Sequence, residues 1–191
     1  MTSLSVLEYP GEEGKTLLVT TSADKSVAIW KRPNNHSDWQ LIQHEILAGE
    51  AVECCSLAFL PTLTSHAPPT PLLALGGVGG DGSCRGSQIL LFIAKSHETG
   101  LKFEHVLTLK GHEDWVRCLA FAMSDEGKLL LASASQDRYI RLWMIEELLG
   151  DRVDAMRDCV DGWGSESGRD RSRERRGRRS EIRVLVREGL E

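Results

Sequence analysis

The feature that most restricts how this chain can fold is a pattern that occurs twice. Leu17 to Lys31 reads LLVTTSADKSVAIWK, and Leu129 to Met144 reads LLLASASQDRYIRLWM. Each is a short apolar run, a polar turn holding an aspartate, and an alternating β-rich run that reaches a tryptophan. Aspartate and tryptophan are six residues apart in both, Asp24 to Trp30 and Asp137 to Trp143. Self-similarity of this kind marks a repeat architecture, whose units cannot bury their apolar faces alone. Short strands joined by polar turns make each unit an antiparallel sheet.

The later unit is the more complete. Lys110 to Ile145 divides into strands at Trp115 to Ala122, Leu129 to Ser135 and Tyr139 to Ile145, with turns at Ser124 to Gly127 and Gln136 to Arg138. In an antiparallel meander the loop before the first strand and the turn between the second and third lie at one end. His112 and Asp137 are therefore expected as neighbours. A buried imidazole held by a carboxylate, with a serine hydroxyl behind it and an indole N–H beyond, satisfies every polar group. This Gly-His, Ser, Asp and Trp order resembles the WD40 repeat. The resemblance implies a structural tetrad of His112, Ser133 (Ser135 as second choice), Asp137 and Trp143. Met144 departs from it, standing where the repeat usually has a second aspartate. Histidine, serine and aspartate also make a hydrolase triad. The repeat uses all three as bracing, so no catalytic residue and no cofactor is expected.

In the earlier unit, Thr20, Asp24 and Trp30 take the places of Ser133, Asp137 and Trp143. Its first strand is Leu4 to Tyr9. Sliding Tyr9 onto Phe121 puts its Gly-His ahead of Met1, so the unit is expected to start within a repeat. Between the two lies a degenerate unit. Gly49 falls on Gly111 and Leu57-Ala58-Phe59 on Leu119-Ala120-Phe121, but Glu50 replaces the histidine, Gly86 the aspartate and Phe92 the tryptophan. Apolar packing is expected to hold it, since a polar network is optional where no polar group is buried alone. Outer strands fall at Trp39 to Leu47 and Lys102 to Leu109.

The fold expected is all-β: a WD40 β-propeller fragment of about three four-stranded antiparallel blades in an incomplete ring. The blades are 1–47, 48–109 and 110–145, the last lacking its outer strand. Residues 146–191 are expected to give a short helix over Glu146 to Val160, then a disordered Arg-rich tail. Ile182 to Val186 alternates but has no evident partner. Rings take about four to eight blades, so three leave apolar flanks open.

Net charge is −5, unevenly spread: residues 1–150 hold 12 basic and 18 acidic side chains, residues 151–191 hold 11 and 10. The acidic body is a poor nucleic-acid surface. The opening MTSLSVLEYPGEEG lacks a basic start and a long apolar run, so no signal peptide is expected, and no stretch has the length to cross a bilayer. The 5 cysteines include no CxxC spacing, which argues against zinc and against a disulfide framework. Cytoplasmic or nuclear residence is the expectation, and the Asn35-His36-Ser37 sequon is a chance match.

Three further motifs stand out. Gly77 to Gly82 satisfies GxGxxG after an apolar strand, but Gln88 to Ala94 beyond it reads as a strand, not the helix a pyrophosphate site needs. A loop is expected. The run from Arg169 to Arg179 holds seven arginines among Ser, Asp and Glu. It lacks aromatics for base stacking, so direct nucleic-acid binding is not expected of it. Trp115, with Asp114 and Arg138 at the same end, has the composition of a protein-contact hot spot. Its alternative is packing on the neighbouring blade.

GHEDWVR, ASQDRYIRLW, CCSLAFLP and TTSADKSVAIW together resemble the WD40 scaffold subunits of the Elongator complex, over about residues 2 to 145. The resemblance implies a non-catalytic scaffold for protein–protein interaction in an assembly that modifies wobble uridines of tRNA. By the same resemblance its partners are other Elongator-type subunits, with tRNA association indirect and no membrane. A generic WD40 adaptor, such as a ubiquitin-ligase substrate receptor, or a truncated product without function is the alternative.

Overall fold

A computed structural model describes residues 1–47, 52–61, 69–78, 86–98, 100–148 and 181–188. These hold three four-stranded antiparallel sheets. Blade 1 is β1 (Ser3–Glu8), β2 (Thr16–Thr21), β3 (Ser26–Arg32) and β4 (Gln40–Ile46), in that spatial order. Blade 2 is β5 (Cys54–Leu60), β6 (Thr70–Val78), β7 (Gln88–His97) and β8 (Gly100–Leu109). Blade 3 is β9 (Val116–Met123), β10 (Leu129–Ser135), β11 (Ile140–Leu148) and β12 (Glu181–Glu188).

Blade 3 corrects the sequence reading twice. It has the outer strand that the pattern denied it: β12 pairs antiparallel with β11 from Arg141↔Glu188 to Leu148↔Glu181. Leu148 and Glu181, paired at one end of this ladder, are far apart in the sequence, so adjacency gave no hint of the pairing. An unpaired outer edge on β11 is what a short alternating run can cap. Glu146, Glu147 and Leu148 continue β11 rather than open a helix. The remaining helix positions and the Arg-rich run lie outside the described residues.

Blades 1 and 2 share one apolar core, built from Leu17, Val19, Val27 and Ile29 against Cys55, Leu57, Leu73, Leu75 and Phe92. Blades 2 and 3 share a second, with Leu72, Ala74, Ile89 and Leu91 against Leu119, Leu129, Leu131 and Trp143. Blade 2 is therefore covered on both faces. That is why CCSLAFL, PLLALG and ILLFIA run apolar without a break, whereas SLSVLE of β1, with one open face, alternates. The innermost strands are stitched across the same junctions. Leu57 N–H donates to Ser5 Oγ at 3.0 Å, and Phe121 N–H to Ser56 Oγ at 3.3 Å. At the outer edge, the Gln43 side chain bonds both backbone groups of Phe103, at 2.7 and 3.0 Å.

Candidate functional site

Blade 3 draws His112, Ser133, Asp137 and Trp143 into one hydrogen-bonded chain. β10 carries Ser133 inward, β11 carries Trp143 beside it, and the β10–β11 turn delivers Asp137 under the loop that holds His112. His112 Nδ1 is 2.7 Å from Asp137 Oδ2 and His112 Nε2 is 2.8 Å from Ser133 Oγ. Trp143 Nε1–H donates to the same Ser133 Oγ at 2.8 Å. The partners assign the protons. Nδ1–H donates to the carboxylate, Nε2 accepts the serine hydroxyl, and the serine oxygen accepts the indole N–H.

Asp137 is also fastened by backbone. Its Oδ1 accepts Tyr139 N–H at 2.9 Å, and its Oδ2 accepts Glu113 N–H at 3.0 Å. Burial pushes its carboxyl upward in pKa, but the Tyr139 amide, the His112 imidazole and the Glu113 amide outweigh that and hold it below the usual carboxylate value. Ser135, the second choice for the tetrad, serves the turn. Its hydroxyl donates to Asp114 C=O at 2.9 Å and accepts Asp137 N–H at 3.1 Å. Two residues apart on one strand, the serines share a side of β10; what separates them is position along it, Ser133 within the ladder and Ser135 at the turn end past a register shift.

The order Asp–His–Ser is that of a hydrolase triad, and two features set it apart. Ser133 is 1% exposed and the His112 side chain is fully buried, so no acyl group reaches Oγ. The oxygen that would attack already accepts the Trp143 indole.

In blade 1, Asp24 accepts Ser26 N–H at 3.0 Å and Ser26 Oγ–H at 2.6 Å. These bonds, the Ser26 hydroxyl's first, lower its carboxyl pKa. Among the described residues no hydrogen bond joins Thr20, Asp24 and Trp30. Without a histidine nothing spans the gap between turn and strand. The two turns are nevertheless copies: Lys25 and Arg138 follow the aspartates at φ 73° and 74°, and both aspartates accept the amide two residues on. In blade 2, Phe92 meets the His105 ring edge-on at 5.4 Å, in the tryptophan's place. Glu50 lies outside the described residues.

Trp115, Asp114 and Arg138 share one end of blade 3 but have different surroundings. A Cβ at Gly86 would fall 2.6 Å from the Trp115 ring, and Val116 N–H donates to Gly86 C=O at 2.9 Å. Trp115 is thus half-buried against blade 2, with the Arg117 guanidinium 5.1 Å from its ring centre. Asp114 is half-buried, its Oδ1 accepting Trp115 N–H at 2.8 Å. Arg138 is exposed, and beside it Tyr139 is 49% exposed. The alternation counted Tyr139 as strand, which hid its place at the turn. The first glycine of the GxGxxG run, Gly77, sits in β6 at φ 80° beside a register shift between Gly76 and Val78. A Cβ there would meet Glu53 at 2.6 Å, so that glycine has a backbone reason. Residues 79–85 lie outside the described residues. Among the described residues no His, Cys, Asp or Glu cluster could hold a metal ion, and no helix is long and apolar enough to cross a membrane.

The family described as WD domain, G-beta repeat matches residues 103–144, from β8 through the tetrad. Elongator complex protein 2 of Dictyostelium discoideum is 35% identical over 170 residues, covering 80% of this chain and 17% of that protein. The Saccharomyces cerevisiae protein of the same name is 35% identical over 145 residues, covering 73% of this chain and 16% of that protein. Protein transport protein sec13 of Aspergillus clavatus is 30% identical over 146 residues, covering 74% of this chain and 46% of that protein. The chain thus spans less than a fifth of the length of the first two relatives.

Proposed function

We propose that this chain, similar to the WD40 repeat and to a segment of Elongator complex protein 2, is a non-catalytic scaffold contacting other subunits of an Elongator-type assembly. The observation that carries this is the use of its triad-like residues. His112, Ser133, Asp137 and Trp143 are mutually saturated and buried, which fits bracing and leaves no group poised for turnover. The relatives named for the Elongator complex support the choice of assembly. Tethering to tRNA is then indirect, through the partners, and residence follows theirs in cytoplasm or nucleus.

Of the three residues at the turn end, Arg138 is the contact this reading favours, with Tyr139 beside it. Asp114 and Trp115 serve the blade 2–blade 3 junction and the turn. Arg138→Ala is expected to lower recovery of Elongator-type subunits in a pull-down from cell extract while leaving the melting temperature unchanged. Recovery of no such subunit by the unaltered chain would sink the assignment and favour a general WD40 adaptor.

A further inference from the structure

Where blade 2 meets blade 3, at the end that carries Asp137, the backbone departs from regular strand four times. Gly77 is the extra residue of a bulge in β6, at φ 80°, and Gly86 lies at φ 60°. Arg117 is the extra residue of a bulge in β9, between the pairs Cys118↔Ala134 and Val116↔Ser135. Arg138 holds φ 74° at the tip of the β10–β11 turn. That turn is tied to the start of β9, for Gln136 N–H donates to Trp115 C=O at 2.9 Å. A bulge re-aims the side chain it carries, and a non-glycine residue at positive φ is held there against its own preference.

Each departure serves one charged cluster. A Cβ at Gly77 would fall 2.6 Å from Glu53 Cβ, so the glycine lets Glu53 pack on the blade 2 backbone. Gly86 leaves the matching room for the Trp115 ring. The β9 bulge turns Arg117 back across the junction. Its Nη1 is 3.1 Å from Glu53 Oε2, and its guanidinium lies 5.1 Å from the Trp115 ring centre. Stacked and paired, the fork is held in place, yet the side chain stays 44% exposed. Five N–H donors are more than one carboxylate can use, so donors remain for a second partner. The nearby aspartates are committed inward: Asp114 accepts Trp115 N–H, and Asp137 accepts His112 and the Glu113 and Tyr139 amides. Arg117 and Arg138 face outward.

We propose that Arg117 and Arg138 receive an acidic segment of a protein partner, one carboxylate docking on each guanidinium. This rests on the scaffold reading and gives its contact a chemistry. An arginine stacked on an indole is already ordered, so it loses little freedom when it pairs with a carboxylate. A nucleic acid fits less well. Its continuous phosphate charge would meet Glu53, Glu113 and Asp114 at the same end, on a body with 18 acidic against 12 basic residues over 1–150. A protein segment can set a carboxylate where each arginine stands and neutral residues elsewhere.

Fluorescence anisotropy of a fluorescein-labelled peptide of alternating glutamate and glycine tests this. The peptide is titrated with the 191-residue chain, its seven arginines from Arg169 to Arg179 changed to glutamine so that they do not capture it. Arg117→Lys keeps the charge but not the fork, and Arg138→Gly removes the cation while suiting the left-handed backbone. Each is expected to weaken binding about tenfold or more, the loss of a charge-assisted pair, without lowering the melting temperature. Lys25→Gly removes the same charge from the copied turn of blade 1 and is expected to leave binding unchanged. Should Arg117→Lys misfold by circular dichroism, Arg117→Gln takes its place. No binding by the parent chain, undiminished binding by either arginine variant, or equal weakening by Lys25→Gly overturns the proposal. So does a uridine oligonucleotide that binds more tightly than the peptide. A chain that recovers Elongator-type subunits but not the peptide loses this site and keeps the scaffold reading. One that binds the peptide through these arginines but recovers no such subunit keeps the site and loses the Elongator assignment.

Discussion

Asp137 holds more of blade 3 together than its size suggests. It accepts the imidazole and two backbone amides, and through His112 it fixes the proton that lets Ser133 serve Trp143. Asp137→Ala is expected to cost on the order of 1–3 kcal/mol in urea unfolding, the penalty for stranding a buried polar partner. The same residue gives the fold an acid limit. Its folded pKa is depressed, so its contribution is complete above the unfolded value near 4 and is lost as pH falls through the lower folded value. Urea midpoints across that window will fall less steeply in Asp137→Ala than in the wild type. His112, Asp137 and Trp143 were legible as a set from residue type and the direction of a meander. The choice between Ser133 and Ser135 was not, because both fall on one side of β10 and it turns on how deep along the strand the His112 ring reaches.

At the scale of the element, the junction between blades 2 and 3 depends on a residue with no side chain. Gly86 has φ 60°, and a Cβ there would fall 2.6 Å from the Trp115 ring. Gly86→Ala therefore meets both a left-handed backbone and an aromatic wall, and is expected to cost about 2 kcal/mol or more in thermal unfolding. Read in sequence, Gly86 was only the absence of the repeat's aspartate. β12 is the other lesson of this scale. Ending the chain at residue 180 removes the partner of Arg141 to Leu148. Amide exchange in β11 is then expected to accelerate by about tenfold or more, as for any ladder turned into an edge. Unchanged protection would mean that β12 contributes nothing to the blade.

For the whole molecule, the blades hold one another. Each inner face is a packed core shared by two sheets, so blade 2 is braced from both sides by its neighbours.

The sequence by itself determined the units. Two-residue alternation, the Asp-to-Trp step and the turn residues are local signals, and they placed the first eleven strands and, in blade 3, the histidine, aspartate and tryptophan of the tetrad. It also settled that blade 2 would lack the polar brace, since Glu50, Gly86 and Phe92 leave no histidine–aspartate pair to form one. Only the tertiary structure decided which strand caps β11 and which faces are shared. Those outcomes depend on segments distant in the chain meeting in space: Glu181 to Glu188 with β11, Gly86 with Trp115, the apolar face of one blade with that of the next. Pattern within a strand fixes that it has an apolar side; what lies against that side is set by where the neighbouring blade comes to rest.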